Sequence, residues 1–314
     1  MSLNIVNKEV LSSDGIHTLK GKVYIPDTEI KGLFHLVHGM TEYIGRYDEF
    51  LRFMAESGYV AFAYDHLGHG ETGNATGELG FIAEKNGDKF LPEDVHVFGA
   101  EIRRDFPGKK CVIMGHSMGS YMLRKYLCLH GENLSGAVIM GTGCVPDGTM
   151  KFGMTLCKFL AFFRGWNYRS KLVQKLSYSK PYHKFDLYGK DYTNSWLTKD
   201  VEHVKKYYSD PRCTFLFTLN GYYGLMEAVY FDNQMDNIKK VPKDLPVFMV
   251  SGADDPVGDL GEGVKKVNHM YKDAGVDDLT YRLYETDRHE ILNETDRDKV
   301  YADLLAWMRV RIDT

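Results

Sequence analysis

The amino-acid sequence predicts an α/β fold with a mostly parallel central sheet, helices on both faces of the sheet and an inserted helical cap. Short runs that are apolar on both faces alternate with segments of helical period along most of the chain. This alternation is typical of a parallel sheet covered on two sides. It is interrupted once, by about ninety residues with helical patterns and no strand, which is too long for an ordinary connection. The 314 residues, 44% of them hydrophobic, suffice for a large domain with such an insertion.

The same patterns predict the individual elements. Strands are predicted at residues 4–10, 19–25, 33–37, 59–64, 110–114, 135–140, 246–251 and 279–284. Helices are predicted at residues 47–57, 93–106, 118–130, 261–273 and 295–312, with a glycine-rich loop after the fourth strand. We therefore assign residues 1–144 and 237–314 to an α/β core and residues 145–236 to the cap.

Composition and charge exclude several classes of function. The net charge of −4 and the sequence pI of about 6.3 make nucleic acid an unexpected partner. The five cysteines show no C-x-x-C spacing, so we expect neither disulfides nor a zinc site, and the sequence calls for no cofactor. We find no signal peptide and no apolar run long enough to span a bilayer, so we expect a cytoplasmic protein. The oligomeric state stays open.

A serine between two glycines is the first candidate for chemistry. The segment GHSMG at residues 115–119 matches G-x-S-x-G and lies between a predicted strand and a predicted helix. In that setting a tight turn holds the serine in a strained conformation at a helix N-terminus, where negative charge is favoured. The plainer alternative is a glycine-rich strand-to-helix turn. We predict that Ser117 is a nucleophile.

A serine hydroxyl needs a base to remove its proton and an acid to orient that base. In a sheet of this kind both should follow the serine along the chain, on loops after later strands. Asp255 follows the strand at 246–251 and His289 follows the strand at 279–284. Asp254 is an alternative acid, and Asp259 is expected to be the N-cap of the next helix. For His289 the alternative is a surface histidine near a helix start.

An acyl-transfer site also needs N–H donors for the oxyanion that forms on the substrate carbonyl. One donor should be the main-chain N–H of Met118, which follows the nucleophile. The other should come from the loop after an early strand, where the segment LVHGMTEY at residues 36–43 would leave the N–H of Met40 pointing inward. The alternative for this segment is a simple turn.

Five motifs together resemble the α/β-hydrolase superfamily, and within it the monoacylglycerol lipase and lysophospholipase group, which is similar to the serine aminopeptidase-type hydrolases. They are HGMTEYIGRY (38–47), DHLGHGET (65–72), GHSMG (115–119), GADDPV (252–257) and RHEILNE (288–294). The resemblance implies Ser117 as nucleophile, Asp255 as acid and His289 as base, with Met40 and Met118 as oxyanion donors.

The first motif departs from the family pattern H-G-x-G-E-H at two positions. Thr41 replaces a glycine and Tyr43 replaces a histidine, whereas Glu42 keeps the pattern. The resemblance implies that Glu42 contacts the substrate. In the second motif, Asp65 is expected to support the loop of His38.

The most apolar part of the cap is the segment 150–166, MKFGMTLCKFLAFFRGW. Phe152 and Phe159 lie at helical spacing on one face and are candidate substrate contacts. They could line an acyl-chain tunnel or a lid that transiently meets a membrane surface, where the protein would then be peripheral. Packing of the cap on the core is an equal alternative.

These observations predict a serine hydrolase that cleaves carboxylic esters through an acyl-enzyme on Ser117. Monoacylglycerols or lysophospholipids are the expected substrates, because the cap is rich in apolar and aromatic side chains. Two rivals are a peptidase on the same triad and an inactive binding protein on the same fold. An acidic cluster in the cap would favour the peptidase, and loss of a triad residue would favour the binding protein; the sequence has neither.

Overall fold

The computed structural model describes residues 3–85 and 87–313, and its centre is one eight-stranded sheet. The strands are β1 (Asn4–Leu11), β2 (Thr18–Ile25), β3 (Gly32–Val37), β4 (Tyr59–Asp65), β5 (Cys111–His116), β6 (Gly136–Met140), β7 (Val247–Gly252) and β8 (Leu279–Tyr284). Their order is β1-β2-β4-β3-β5-β6-β7-β8. β2 pairs antiparallel with β1 and with β4, and the pairs from β4 to β8 are parallel. The predicted mostly parallel sheet is confirmed.

The helices of the described chain fall into two groups. Those of the core are α1 (Asp48–Glu56), α2 (Gly70–Thr76), α3 (Gly87–Asp105), α4 (Met118–His130), α10 (Glu262–Asp273) and α11 (Arg297–Ile312). Those between β6 and β7 are α5 (Asp147–Arg164), α6 (Lys171–Ser177), α7 (Val201–Ser209), α8 (Leu219–Asp232) and α9 (Met235–Ile238). No described helix combines the length and the apolar character that crossing a bilayer requires.

Successive side chains of the central strands belong alternately to two separate apolar layers. In β5, Cys111 and Ile113 join the layer under α3, α4 and α10, whereas Val112 and Met114 join the layer under α1 and α11. Because successive side chains of a strand point to opposite faces, a strand that is apolar throughout must be covered on both sides. This confirms the prediction of helices on both faces.

Two details of the core differ from the sequence-based expectations. The loop after β4 contains the short helix α2, and α3 begins at Gly87 rather than at residue 93, because Pro92 lies inside the helix without ending it. Asp259 is not the N-cap of α10: that position belongs to Gly261, and Asp259 lies in a preceding turn with φ of 51°. The Leu260 N–H donates to the Asp255 carbonyl and the Gly263 N–H donates to the Gly258 carbonyl, so turns connect Asp255 to the start of α10.

The segment between β6 and β7 adds no strand to the sheet and covers its carboxyl-terminal edge. Of its helices, α8 packs against α5 and also against α3 and α4 of the core. Its buried residues therefore belong to the same apolar layer as α4. The boundaries of a separate cap at residues 145 and 236 stay a prediction.

The aromatic layer beside β4 provides a test of what holds the fold together. Phe98 of α3 is fully buried and its ring stacks on Tyr64 with 4.8 Å between centroids. Because truncation removes apolar burial and leaves a cavity, Phe98→Ala should lower the free energy of unfolding by about 3–5 kcal/mol in urea titrations. The matched control is Phe162→Ala, since Phe162 is 84% exposed; it should stay within about 0.5 kcal/mol of the parent protein. Equal losses in the two variants would contradict this packing.

Candidate active site

The sharp turn between β5 and α4 carries Ser117. Ser117 has φ of 55° and ψ of −122°, a conformation that non-glycine residues rarely adopt, and α4 begins at the next residue. A Cβ on Gly115 would collide with the carbonyl of Gly119, and a Cβ on Gly119 would collide with the carbonyls of Val37 and His38. The two glycines therefore let the turn pack tightly between β3 and α4, and Ser117 faces the cavity above the sheet edge.

Asp255 and His289 form a buried pair at the same edge of the sheet. Asp255 lies three residues beyond β7 and His289 five residues beyond β8. Nδ1 of His289 is 3.0 Å from each carboxylate oxygen of Asp255, which also accepts hydrogen bonds from the Ser251 hydroxyl and the Val257 N–H. Burial alone would raise the pKa of Asp255, but His289 and these donors lower it below its usual value. The carboxylate is thus kept ionised beside the imidazole.

Asp254, the alternative acid, points away from this pair. Its side chain is exposed, and its main-chain N–H donates to the carbonyl of Asp287. The geometry favours Asp255 as the partner of His289.

The imidazole of His289 lies beside the residues that flank Ser117. Its ring centroid is 4.7 Å from that of His116, and its carbonyl oxygen is 3.1 Å from Nε2 of His116. On its other side the indole of Trp196 stacks on it at 5.1 Å and 25°. Within residues 3–85 and 87–313, no hydrogen bond joins the Ser117 hydroxyl to His289. Such bonds are commonly long without substrate and tighten when substrate binds.

The predicted oxyanion donors flank the same cavity. Met40 and Met118 both line it together with Ser117. Among the described residues, neither main-chain N–H has a hydrogen-bond partner. Two free amides on either side of a serine at a helix N-terminus can accept a negative oxygen.

Glu42, the predicted substrate contact, is not among the residues that line the cavity. It is 3% exposed, and its carboxylate accepts hydrogen bonds from the Gly39 N–H at 2.5 Å, from Tyr47 at 2.6 Å and from Arg46 at 2.9 Å. Burial opposes its ionisation, but His116 and Arg46 hold the pKa of Glu42 well below its usual range. The carboxylate therefore fixes the loop of Met40 from behind.

His116 and Glu290 complete this buried network. Nδ1 of His116 is 2.7 Å from the Tyr47 hydroxyl, and although burial disfavours the charged ring, Glu42 raises the pKa of His116. Arg46 makes two hydrogen bonds of 2.6 Å to Glu290, the residue that follows His289. The loops of Met40, Ser117 and His289 are thereby joined by charged hydrogen bonds. Asp65 supports the first of these loops through the Ile44 N–H at 2.8 Å, as expected.

A cavity of about 390 Å³ opens above Ser117, and most of its wall is apolar. Its apolar lining includes Met150, Phe152, Leu156, Val173, Leu176, Leu225, Met226 and Val229. Phe152 thus lies where a substrate contact was expected. Phe159 does not line the cavity, because it lies on the outer face of α5 with 61% of its surface exposed.

The fold and the site together define the protein as an α/β-hydrolase. The chain belongs to the family described as "Serine aminopeptidase, S33", whose model matches residues 28–296. The resemblance inferred from the five motifs is therefore confirmed.

Individual relatives extend over nearly the whole chain. A monoacylglycerol lipase from Mycolicibacterium smegmatis is 23% identical over 289 residues, which cover 91% of this chain and 91% of the relative. A highly thermostable carboxyl esterase from Bacillus coagulans, solved in complex with glycerol, superposes with a TM-score of 0.90 and 26% identity, covering 99% of this chain and 100% of that chain. A soluble variant of monoglyceride lipase from Saccharomyces cerevisiae, solved with a substrate analog, superposes with a TM-score of 0.73 and 23% identity, covering 100% and 96% of the two chains.

Three side chains of the site were missed by the sequence reasoning. His116 and Glu290 stand directly beside Ser117 and His289 in the motifs, so their position in the chain was an available signal. Trp196 belongs to an irregular stretch of the inserted segment and has no motif. Its contact with His289 follows only from the tertiary structure.

The assignment of the acid can be tested by paired substitutions. Asp255→Asn should lower kcat for ester hydrolysis by roughly 10³–10⁴-fold, because a neutral amide does not stabilise the charged imidazole and can hold His289 in the wrong tautomer. Asp254→Asn, the matched control one residue earlier, should stay within about twofold of the parent enzyme. Steady-state kinetics on a p-nitrophenyl ester measure both. A larger loss in Asp254→Asn than in Asp255→Asn would reverse the assignment.

Proposed function

We propose that this α/β-hydrolase is a carboxylic ester hydrolase that cleaves lipid esters, of the monoacylglycerol or lysophospholipid type, through an acyl-enzyme on Ser117. The observation that carries the proposal is the hydrogen-bonded His289–Asp255 pair beside the strained Ser117, under an apolar cavity. The named activities of the lipase and esterase relatives support the same class of reaction.

The chemistry follows from the positions of these groups. The Ser117 hydroxyl attacks the ester carbonyl while Nε2 of His289 takes its proton, and Asp255 stabilises the resulting imidazolium. The amides of Met40 and Met118 hold the oxyanion. His289 then returns the proton to the leaving alcohol, which departs and leaves the acyl group on Ser117. Water, deprotonated by His289, attacks the acyl-enzyme and releases the carboxylic acid.

The lining of the cavity supports an acyl chain rather than a peptide. A peptidase that removes an N-terminal residue needs carboxylates to hold the α-ammonium group, and among the described residues Asp259 alone supplies one to the cavity wall. Methionine and leucine side chains, by contrast, offer apolar surface that adapts to a flexible chain. An inactive binding protein is disfavoured because the described residues offer a candidate nucleophile, a candidate base hydrogen-bonded to a candidate acid, and two amides without a hydrogen-bond partner.

The reaction is tested by removing the nucleophile. Ser117→Ala should lower hydrolysis of p-nitrophenyl butyrate and of a monoacylglycerol by roughly 10⁴-fold or more, because attack on the carbonyl is lost. Ser57→Ala is the control, since its hydroxyl only donates to the Phe53 carbonyl at the end of α1. A series of monoacylglycerols of graded chain length in the same assay reports acyl preference. Turnover of Ser117→Ala close to that of the parent enzyme would contradict the proposed function.

Contact with a lipid surface is the second part of the proposal. Phe152, Phe159, Phe162 and Phe163 of α5 are 61–84% exposed, and Lys151, Lys158 and Arg164 lie on the same helix. Apolar side chains flanked by cations suit the boundary between acyl chains and anionic headgroups. The rim of the cavity, through Phe152, would then face the membrane that carries the substrate.

Removing two of these rings should separate lipid binding from catalysis. Phe162→Ser/Phe163→Ser should lower partition onto phosphatidylcholine vesicles containing phosphatidylglycerol by about 10-fold or more, because two apolar side chains no longer enter the lipid. Turnover of soluble p-nitrophenyl butyrate should stay unchanged, since neither ring lines the cavity. Sedimentation with vesicles measures the partition. Equal partition of variant and parent would refute the lipid contact.

A further inference from the structure

The loop of Met40 carries a conformational anomaly at Thr41. Thr41 has φ of 53°, in the left-handed region that a β-branched residue rarely adopts and that glycine adopts without cost. The resemblance drawn from the motifs implies a glycine at this position, where this chain has Thr41. A strained residue next to a reactive centre persists only where its surroundings hold it in place.

The group that holds Thr41 comes from the segment between β6 and β7. The hydroxyls of Thr41 and Tyr207 are hydrogen-bonded at 3.0 Å, and both residues are buried. The guanidinium of Arg46 lies 4.8 Å above the ring of Tyr207 and fixes it from the other side. Tyr207 of α7 is therefore held by Arg46 and is hydrogen-bonded to the strained Thr41.

The second departure from the family pattern contacts the same region. The hydroxyl of Tyr43 donates to Asp210 at 3.0 Å and accepts from Arg212 at 2.7 Å. The guanidinium of Arg212 also lies 3.8 Å above the Tyr43 ring. Both residues that replace the family's own are therefore bound to the end of α7 and the turn that follows it.

These contacts fix the residue between them. Glu42 holds the N–H of Gly39 at 2.5 Å, and Tyr207 holds the side chain of Thr41 at 3.0 Å. Met40 lies between these two anchors and lines the cavity, and no described residue accepts a hydrogen bond from its main-chain N–H. The Met40 N–H belongs to the Gly39–Met40 peptide, so its direction depends on how the two neighbouring residues, Gly39 and Thr41, are held.

We infer that Tyr207 is a positioning residue for the oxyanion hole. Through its hydrogen bond to Thr41, the direction of the Met40 N–H depends on the segment between β6 and β7. The inference rests on the proposed function, in which the Met40 amide stabilises the oxyanion. Tyr207 acts through Thr41 and touches neither Ser117 nor the reacting atoms.

The test removes each hydroxyl and both together. Tyr207→Phe and Thr41→Val should each lower kcat for p-nitrophenyl butyrate about 10-fold with KM within about twofold. The reason is that an N–H donor that points in the wrong direction stabilises the transition state less and leaves substrate binding unchanged. The double variant should lose no more than either single variant, since one bond is removed in all three. Thr41→Ser keeps the hydroxyl and should restore kcat to within about threefold of the parent enzyme.

The matched control is Tyr59→Phe at the opposite end of the sheet. Tyr59 is buried and its hydroxyl donates one hydrogen bond of 3.0 Å to Asp313, so the variant loses the same kind of bond away from the site. It should keep kcat within about twofold while its melting temperature falls as much as that of Tyr207→Phe. Binding of an alkyl boronic acid, whose tetrahedral adduct places an oxygen in the oxyanion hole, should weaken in Tyr207→Phe and not in Tyr59→Phe.

Two results would overturn the inference. One is a kcat of Tyr207→Phe within about twofold of the parent enzyme, which would leave Tyr207 a purely structural residue. The other is a double variant whose loss is the product of the single losses, because the two hydroxyls would then act separately. If Thr41→Val does not fold, Tyr207→Phe with Thr41→Ser decides the question. Retained activity in Ser117→Ala would instead overturn the proposed function itself, so the two failures are distinguishable.

Discussion

The geometry of the site depends on one buried ion pair, the double hydrogen bond of Arg46 to Glu290. Arg46 belongs to the loop of Met40, and Glu290 follows His289, so the pair joins the loop of Met40 to the loop of His289. Burying charges is costly unless every polar atom has a partner, and such pairs seldom add much net stability. Here Glu42 accepts a third hydrogen bond from Arg46 and also accepts from the Gly39 N–H and the Tyr47 hydroxyl. The Tyr47 hydroxyl is in turn hydrogen-bonded to His116. We interpret the network as a device that fixes the spacing of three loops rather than as a source of stability.

The segment between β6 and β7 contacts the loop of His289 as well as covering the cavity. Its residues 195–199 are bound to the loop of His289: Arg288 donates to the Ser195 carbonyl at 2.6 Å, and the Glu290 N–H donates to the Leu197 carbonyl at 2.7 Å. Trp196 in this stretch stacks on the imidazole. Lifting this stretch would remove these supports from the base. By contrast, α6 buries only Val173 among its described residues.

The sequence predicted those features that depend on local patterns, and missed those that depend on where a side chain points. Strands that are apolar on both faces and the order Ser117, Asp255, His289 were readable because each signal lies within a few residues of a strand end. The contacts of Glu42 could not be predicted, since a carboxylate in this motif could serve equally well as a substrate contact or as an acceptor for the Gly39 N–H. The contacts of Trp196 and Tyr207 were beyond reach for a different reason: both come from a segment without periodic strand signals, and they meet residues more than 90 positions away. The prediction that Asp259 is an N-cap was wrong because a turn, closed by the Leu260 N–H on the Asp255 carbonyl, puts Asp259 two residues before the actual N-cap, Gly261.

Two strained residues, Ser117 and Thr41, line the cavity above the sheet edge. Ser117 and Thr41 have φ of 55° and 53°, and each such conformation costs about 1–3 kcal/mol for a residue other than glycine. The turns that carry them are in direct contact: Gly119, two residues after Ser117, packs on the carbonyls of Val37 and His38, and a Cβ on Gly39 would lie 2.9 Å from the Cβ of Ser117. Neither turn can therefore relax without pushing the other. The strain of each is resisted by the packing of both, which keeps the serine hydroxyl and the two amides at fixed separation before any substrate arrives.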